Sequence, residues 1–202
     1  MNHEGLAVDL IEKGVLQTPH IIRAFEAIDR KDFVPEDLQS SAYSDVPLPI
    51  GHGQTISQPY TVAFMLELLQ PEPGQRVLDV GSGSGWTTAL LARIVGPHGI
   101  VVGTEIVSEL ALYGESNLRK YSFPNADIRL TASLGAPEDA PFDRILVSAA
   151  AREVPQPLID QLNSPGIMAM PAGNAIYRIK KDAAERLETE RYEGFAFVPL
   201  IT

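Results

Sequence analysis

The residues most able to do chemistry sit in "PIGHGQTISQP" at 49–59, directly ahead of the apolar run "YTVAFMLELL". Small hydroxyls and backbone amides can orient a carboxylate without displacing it, and Thr55 and Ser57 are placed for that task. A plainer reading stands beside it: Ser57 could cap the helix that follows, with Pro59 in its first turn. The second cluster is "VLDVGSGSGWTTALLA" at 77–92, where a strand runs into Gly81, Gly83 and Gly85 before a helix begins. Such a loop permits a tight turn and close approach of a ligand to backbone N–H groups. Its spacing is G-x-G-x-G, whereas the dinucleotide fingerprint is G-x-G-x-x-G. Asp79 lies two residues ahead of the first glycine, where it would repel a pyrophosphate and favour a cationic ligand end. Glu105 closes "VVGTE", a position from which a carboxylate can accept hydrogen bonds from both hydroxyls of a ribose. A ligand with a ribose and a positively charged amino-acid end fits this set, and S-adenosylmethionine is such a ligand. The alternative is a bare strand–helix turn with a solvated glutamate.

What the chain lacks also constrains the chemistry. The 4 histidines (His3, His20, His52, His98) have no metal-ligand spacing, so no metal site is expected. No histidine–aspartate or lysine-based constellation offers a general base. None is needed if the acceptor is a carboxylate, which has a pKa near ~4 and is ionised at neutral pH.

The elements that must hold these residues can be read from periodicity. "LAVDLIEK" and "TPHIIRAFEAID" read as two opening helices, the second with Thr18 as its cap and a stripe of Ile21, Ile22, Phe25 and Ile28. Residues 43–50 read as extended, and 61–69 as an apolar helix ending before the turn cluster "QPEPGQ". From there strands ("RVLDV", "IVVGTE", "ADIRLT", "DRILVSA", "GIMAMP") alternate with helices. The pattern calls for right-handed crossovers and an α/β, doubly wound, mostly parallel sheet of Rossmann-like type. At the end, "AIYRIKK", "RLETERY" and "GFAFVPL" follow too closely for helices and read as antiparallel strands that finish the sheet.

With 202 residues, 45% of them hydrophobic, the chain fits a single domain over 1–202. Residues 1–60 would carry the opening helices and the hydroxyl-bearing segment, and 61–202 the ligand-binding sheet. The N-terminus has no basic lead-in to an apolar stretch, so no signal peptide is expected. No apolar run approaches the roughly 20 residues needed to span a bilayer, and no membrane association is expected. Cysteine is absent, which fits a reducing cytoplasm. A formal net charge of -10 argues against nucleic acid as a partner.

Taken in order, "RKDFVPEDL", "AYSDVPLPIGHGQTISQP", "VLDVGSGSGWTTALLA", "APFDRILVSAA", "LIDQL" and "FVPL" resemble the protein-L-isoaspartate O-methyltransferase family. The resemblance runs from Val15 to Leu200, and G-x-G-Q-T-I-S followed by proline is its most specific piece. It implies a class I S-adenosylmethionine-dependent methyltransferase fold with S-adenosyl-L-methionine as cofactor. It also implies methylation of the free carboxylate of L-isoaspartyl residues in damaged proteins and peptides, by an enzyme expected to be a monomer. On this resemblance Ser57 belongs to the catalytic site. Thr55, Ile56, Asp79, Gly81, Ser82, Gly83, Gly85, Glu105 and Thr131 would meet the cofactor. Pro49, Ile50, Gly51, Gln54 and Thr55 would meet the substrate. Three departures stand out: Thr131-Ala132 replaces the usual Asp-Gly near the adenine end, Pro165-Gly166 replaces Gly-Gly, and Trp86 stands where tyrosine is common.

Overall fold

In the computed structural model, which describes residues 2–200, a seven-stranded sheet has the order β5-β4-β3-β6-β7-β8-β9. Its strands are β3 (Arg76–Val80), β4 (Ile100–Glu105), β5 (Ala126–Leu130), β6 (Phe142–Val147), β7 (Leu162–Ala172), β8 (Ala175–Lys181) and β9 (Leu187–Glu193). The first five run parallel, and β8 and β9 are antiparallel additions at one edge. The parallel part forms because each strand is a short apolar run followed by a crossover. α4 (Trp86–Val95) joins β3 to β4, α5 (Ser108–Arg119) joins β4 to β5, and α6 (Gln156–Gln161) joins β6 to β7. Strands buried on both faces read as continuous apolar runs, and β3 follows this with four of its five residues buried.

The chain reverses its direction of travel across the sheet after β5, returning to place β6 on the far side of β3. Such a reversal opens a crevice beyond the carboxyl ends of the strands, the common ligand position in open α/β sheets. β3 ends there in the glycine loop and β4 in Glu105.

The opening helices are α1 (His3–Glu12) and α2 (Pro19–Ala27). Their apolar faces share a buried cluster with α3 (Pro59–Leu69) and α4, in which Leu10, Ile21, Phe25, Leu66, Leu69 and Leu90 interlock. Thr18 does not cap α2 with its side chain. Instead Glu67, from α3, accepts the Gln17 and Thr18 N–H groups at 2.8 Å each and the Thr18 hydroxyl at 2.6 Å. A carboxylate at a helix N-terminus satisfies free donors and complements the dipole.

Two further expectations are corrected. Residues 43–50 are not one extended stretch. Two 3-10 turns (Arg30–Phe33 and Glu36–Ser41) and a bend lead into β1 (Leu48–Gly51), which pairs with β2 (Gln54–Ile56) as an antiparallel hairpin. His52 at the tip has φ 52° and its glycine neighbours are also left-handed, which is the geometry a tight hairpin demands. The tail "GFAFVPL" does not extend the sheet as an antiparallel strand. It folds back so that Pro199 forms an isolated parallel bridge with Ala150, beyond the end of β6. The Ala150 N–H donates to the Val198 carbonyl at 2.8 Å, and the Leu200 N–H donates to Ala150 at 2.9 Å. Among the described residues no helix is long and apolar enough to cross a membrane.

Candidate active site

One cavity lies over the crevice at the sheet's switch point, and the hairpin forms one of its walls. Ile50, Gln54, Thr55, Ile56 and Ser57 line that wall, facing Gly81, Ser82 and Gly83 of the glycine loop. Glu105 and Thr131 also line the cavity. Ten of the residues singled out in the sequence are thus brought together from four separate stretches of chain.

The hairpin and the glycine loop are in contact. A Cβ placed on Gly83, whose φ is +52°, would come within 3.1 Å of the Ile50 side chain, which would have to give by a few tenths of an ångström. Gly85 plays a different part from the one expected. It does not line the cavity; it caps α4 in a left-handed conformation (φ 88°) and packs against α5, where an added Cβ would meet the Gly114 carbonyl at 2.8 Å. α4 starts without a side-chain cap, and its first residues, Trp86 and Thr87, lie on the cavity wall. Helix N–H groups left free in this way suit a carboxylate.

Asp79 is the second correction. It is fully buried beneath the loop, where its Oδ2 accepts the hydroxyls of Thr87 and Thr88 at 2.7 Å each. Burial pushes its pKa up to about 6, against the opposing pull of the two threonine hydroxyls. Its Oδ1 has no hydrogen-bond partner among the described residues. β1 alternates, so Pro49 and Gly51 are exposed on the outer face while Leu48 and Ile50 point inward. Neither Pro49 nor Gly51 lines the cavity.

Glu105 is buried, and its two oxygens already work within the protein. Oε2 accepts the Gly83 N–H at 2.9 Å, and Oε1 accepts the N–H groups of Ile106 and Val107 at 2.8 and 3.0 Å. A carboxylate has about four lone-pair positions, so capacity remains on the side that faces the cavity. Thr131 Oγ1 accepts the Ser133 N–H at 3.0 Å, a local turn that fixes the loop after β5. Ala132 beside it also lines the wall.

Ser57 is not a helix cap. The cap position of α3 belongs to Gln58, whose side chain makes no capping bond. The N–H of Tyr60 in the first turn is met by Asp45 Oδ1 at 2.9 Å, from the preceding bend. The Ser57 hydroxyl is therefore left to the cavity that its residue lines.

Several residues escaped the sequence reading. Ser148 and Ala149, just past β6, form part of the wall, as do Val198, Pro199 and Leu200 of the returning tail. Small residues following the end of a parallel strand were a usable signal for the first pair. Nothing local announced the tail, because its place depends on a bridge to a residue nearly fifty positions earlier. Arg30 was also missed: it is fully buried and donates to the carbonyl of Ser57 at 3.0 Å.

This architecture matches known proteins over its whole length. The model of the Protein-L-isoaspartate(D-aspartate) O-methyltransferase family aligns with residues 1–202. The chain belongs to this family. A protein-L-isoaspartate O-methyltransferase of Methanopyrus kandleri is 42% identical over 204 residues, covering 98% of this chain and 90% of that protein. Its counterpart in Methanothermobacter thermautotrophicus is 39% identical over 199 residues, with 96% and 92% covered. Among solved structures, a Plasmodium falciparum protein described as a putative member, in complex with S-adenosyl-L-homocysteine, superposes with a TM-score of 0.87 at 28% identity, covering 100% of this chain and 99% of that one. As a member of the isoaspartyl methyltransferase family, the chain depends on S-adenosylmethionine. The cavity agrees with that cofactor on its own terms, since it offers a loop with left-handed Gly81 and Gly83, a helix N-terminus without a side-chain cap and a buried acid beside the loop.

Proposed function

We propose that this chain repairs proteins by methylating the free carboxylate of L-isoaspartyl residues, with Ser57 as the group that aligns the acceptor. The single observation that carries the role of Ser57 is its release from capping duty while it lines the same cavity as the glycine loop. Glu105, the loop from Gly81 to Gly83 and Thr131 would hold the cofactor, with Glu105 on the ribose hydroxyls and Thr131 toward the adenine. Thr55 and Ile56 would border it on the hairpin side, and Ile50 and Gln54 would border the incoming substrate.

When bound, the cofactor supplies a methyl group already activated on a sulfonium. The protein's own task is alignment. Thr55 and Ser57 can donate hydroxyl hydrogen bonds to the acceptor carboxylate and turn one of its oxygens toward the methyl. Holding two reactants in line can contribute roughly 7–11 kcal/mol at best. The acceptor is ionised at neutral pH, so no base is needed to remove a proton. The chain's residues would hold the acceptor carboxylate in place and would move no proton. Damaged proteins and peptides would be the partners, and the enzyme would act as a monomer. The lack of cysteine fits work in the cytoplasm.

The deciding experiment offers the purified protein paired peptides that differ only in isoAsp or Asp at one position, with radiolabelled S-adenosylmethionine. Base-labile methyl incorporation into the isoAsp peptide alone is expected. Equal labelling of both peptides, or none, would overturn the assignment.

A further inference from the structure

Arg30 is among the most completely buried side chains in the protein, and no carboxylate pairs with it among the described residues. Its guanidinium is spent on backbone carbonyls. Nη1 donates to Ala42 at 2.7 Å and to Ser44 at 3.2 Å, while Nη2 donates to Val46 and Ser57 at 3.0 Å each. Its guanidinium carbon lies over the Trp86 ring, 5.3 Å from the centroid. Burial pulls its pKa down to about 10, with Asp45 opposing through space, so it stays charged at neutral pH. Burying an unpaired cation is costly unless its donors are met. Four carbonyls from two stretches of chain meet the Nη1 and Nη2 donors here, while Nε is left without a partner among the described residues.

The geometry of those bonds has a direction. Three of the carbonyls belong to the irregular stretch between the second 3-10 turn and β1, which has no sheet or helix ladder to hold it. The fourth belongs to Ser57. The ring beneath the guanidinium belongs to the first residue of α4, directly after the glycine loop. A planar fork on a rigid ring fixes distance and angle together, which a lysine ammonium cannot do. This side chain ties the hydroxyl-bearing segment to the helix that follows the cofactor loop.

We propose that Arg30 is a positioning residue for methyl transfer: through the Ser57 carbonyl it sets the height of the Ser57 hydroxyl relative to the glycine loop. It touches neither substrate nor cofactor, and it does not line the cavity. The proposal rests on the assignment of Ser57 as the aligner, and it goes further by naming what holds Ser57 in place. Arg30 should therefore govern turnover, while the pocket for the cofactor, built from β3, β4 and α4, stays intact without it.

The test compares Arg30→Lys and Arg30→Met with the wild-type full chain. Steady-state methylation of an isoAsp peptide at saturating S-adenosylmethionine gives kcat and KM, calorimetry gives the S-adenosylhomocysteine Kd, and a thermal melt reports folding. A misplacement of about 1 Å can cost about 100-fold in rate. Arg30→Met is expected to lower kcat by about that factor, with the Kd changed by less than about threefold. Arg30→Lys keeps the charge and loses the fork, and it is expected to recover only part of the loss. Wild-type kcat in either folded variant would overturn the proposal. So would a Kd that weakens in step with kcat, which would make Arg30 a support for the whole cavity. Failure of both variants to fold would reduce it to a stability element and would overturn the proposal equally. An inactive wild type would count against the isoaspartyl reading itself, which the same assay shows separately.

Discussion

The Gly83 N–H donates to the Glu105 carboxylate across 2.9 Å, so the acid that ends one strand sets the position of the loop that follows its neighbour. The same carboxylate holds the N–H groups of Ile106 and Val107. Glu105→Ala should then remove a ligand contact and loosen the loop together. S-adenosylhomocysteine affinity should fall by about 1.5–3 kcal/mol, the range for hydrogen bonds to a charged group. Calorimetry on the folded variant measures it, and unchanged affinity would show that ribose recognition lies elsewhere.

Ser57→Ala should leave the melting temperature close to that of the wild type, because Gln58 and not Ser57 occupies the cap position of α3. Its effect should fall on methyl transfer, with kcat and kcat/KM lowered together by about 1.5–3 kcal/mol of lost alignment. Ser57→Thr should also be slow, since its extra methyl crowds the acceptor carboxylate. Turnover at the wild-type rate in both variants would mean that the hydroxyl is idle.

For Gly85→Ala the expected loss is in stability. The backbone there has φ 88°, and the new Cβ would sit 2.8 Å from the Gly114 carbonyl and 3.0 Å from the Ile128 side chain. A left-handed alanine with a clash against backbone should cost about 1–3 kcal/mol, read as a lower denaturant midpoint. A variant as stable as the wild type would show that α4 and α5 can move apart freely.

Asp79 gives the protein a pH dependence whose sign follows from its burial. Its folded pKa is raised from 3.8 to about 6, so between those values the folded state binds the proton more tightly than the unfolded chain. The stability contribution is full below about pH 4 and declines as pH rises through about 6. Asp79→Asn keeps an acceptor for Thr87 and Thr88 and removes the charge. Its stability relative to the wild type should rise across that window, by a few kcal/mol at most. Denaturation at pH 4, 5, 6 and 7 checks this, and a difference independent of pH would sink it.

The sheet was legible because its parallel strands are short apolar runs separated by amphipathic helices, and burial on both faces leaves that pattern in the composition. The glycine loop and Glu105 were legible for the same reason: each stands where a strand runs out. The hairpin was harder. "GHG" by itself suits an open loop as well as a turn, and the left-handed geometry of all three residues makes it a tight turn. Asp79 was misplaced because its position along the chain does not say on which side of the loop its side chain lies. The two threonines that claim it, Thr87 and Thr88, come from the next helix. Arg30 was overlooked because a lone arginine reads as surface, and its carbonyl partners lie 12 to 27 residues away. The tail from Val198 to Leu200 reaches the cavity only once the sheet exists to receive it.

Trp86 is the protein's only tryptophan. It is buried in the wall between α4 and the cavity, with Phe25 edge-on at 5.7 Å and Arg30 over its face. Intrinsic fluorescence excited selectively at the indole therefore originates from a single address, at the junction of cofactor loop and hairpin. Ligand entry, hairpin displacement and unfolding can each be followed in the untagged, unlabelled molecule by the colour and intensity of that one emitter.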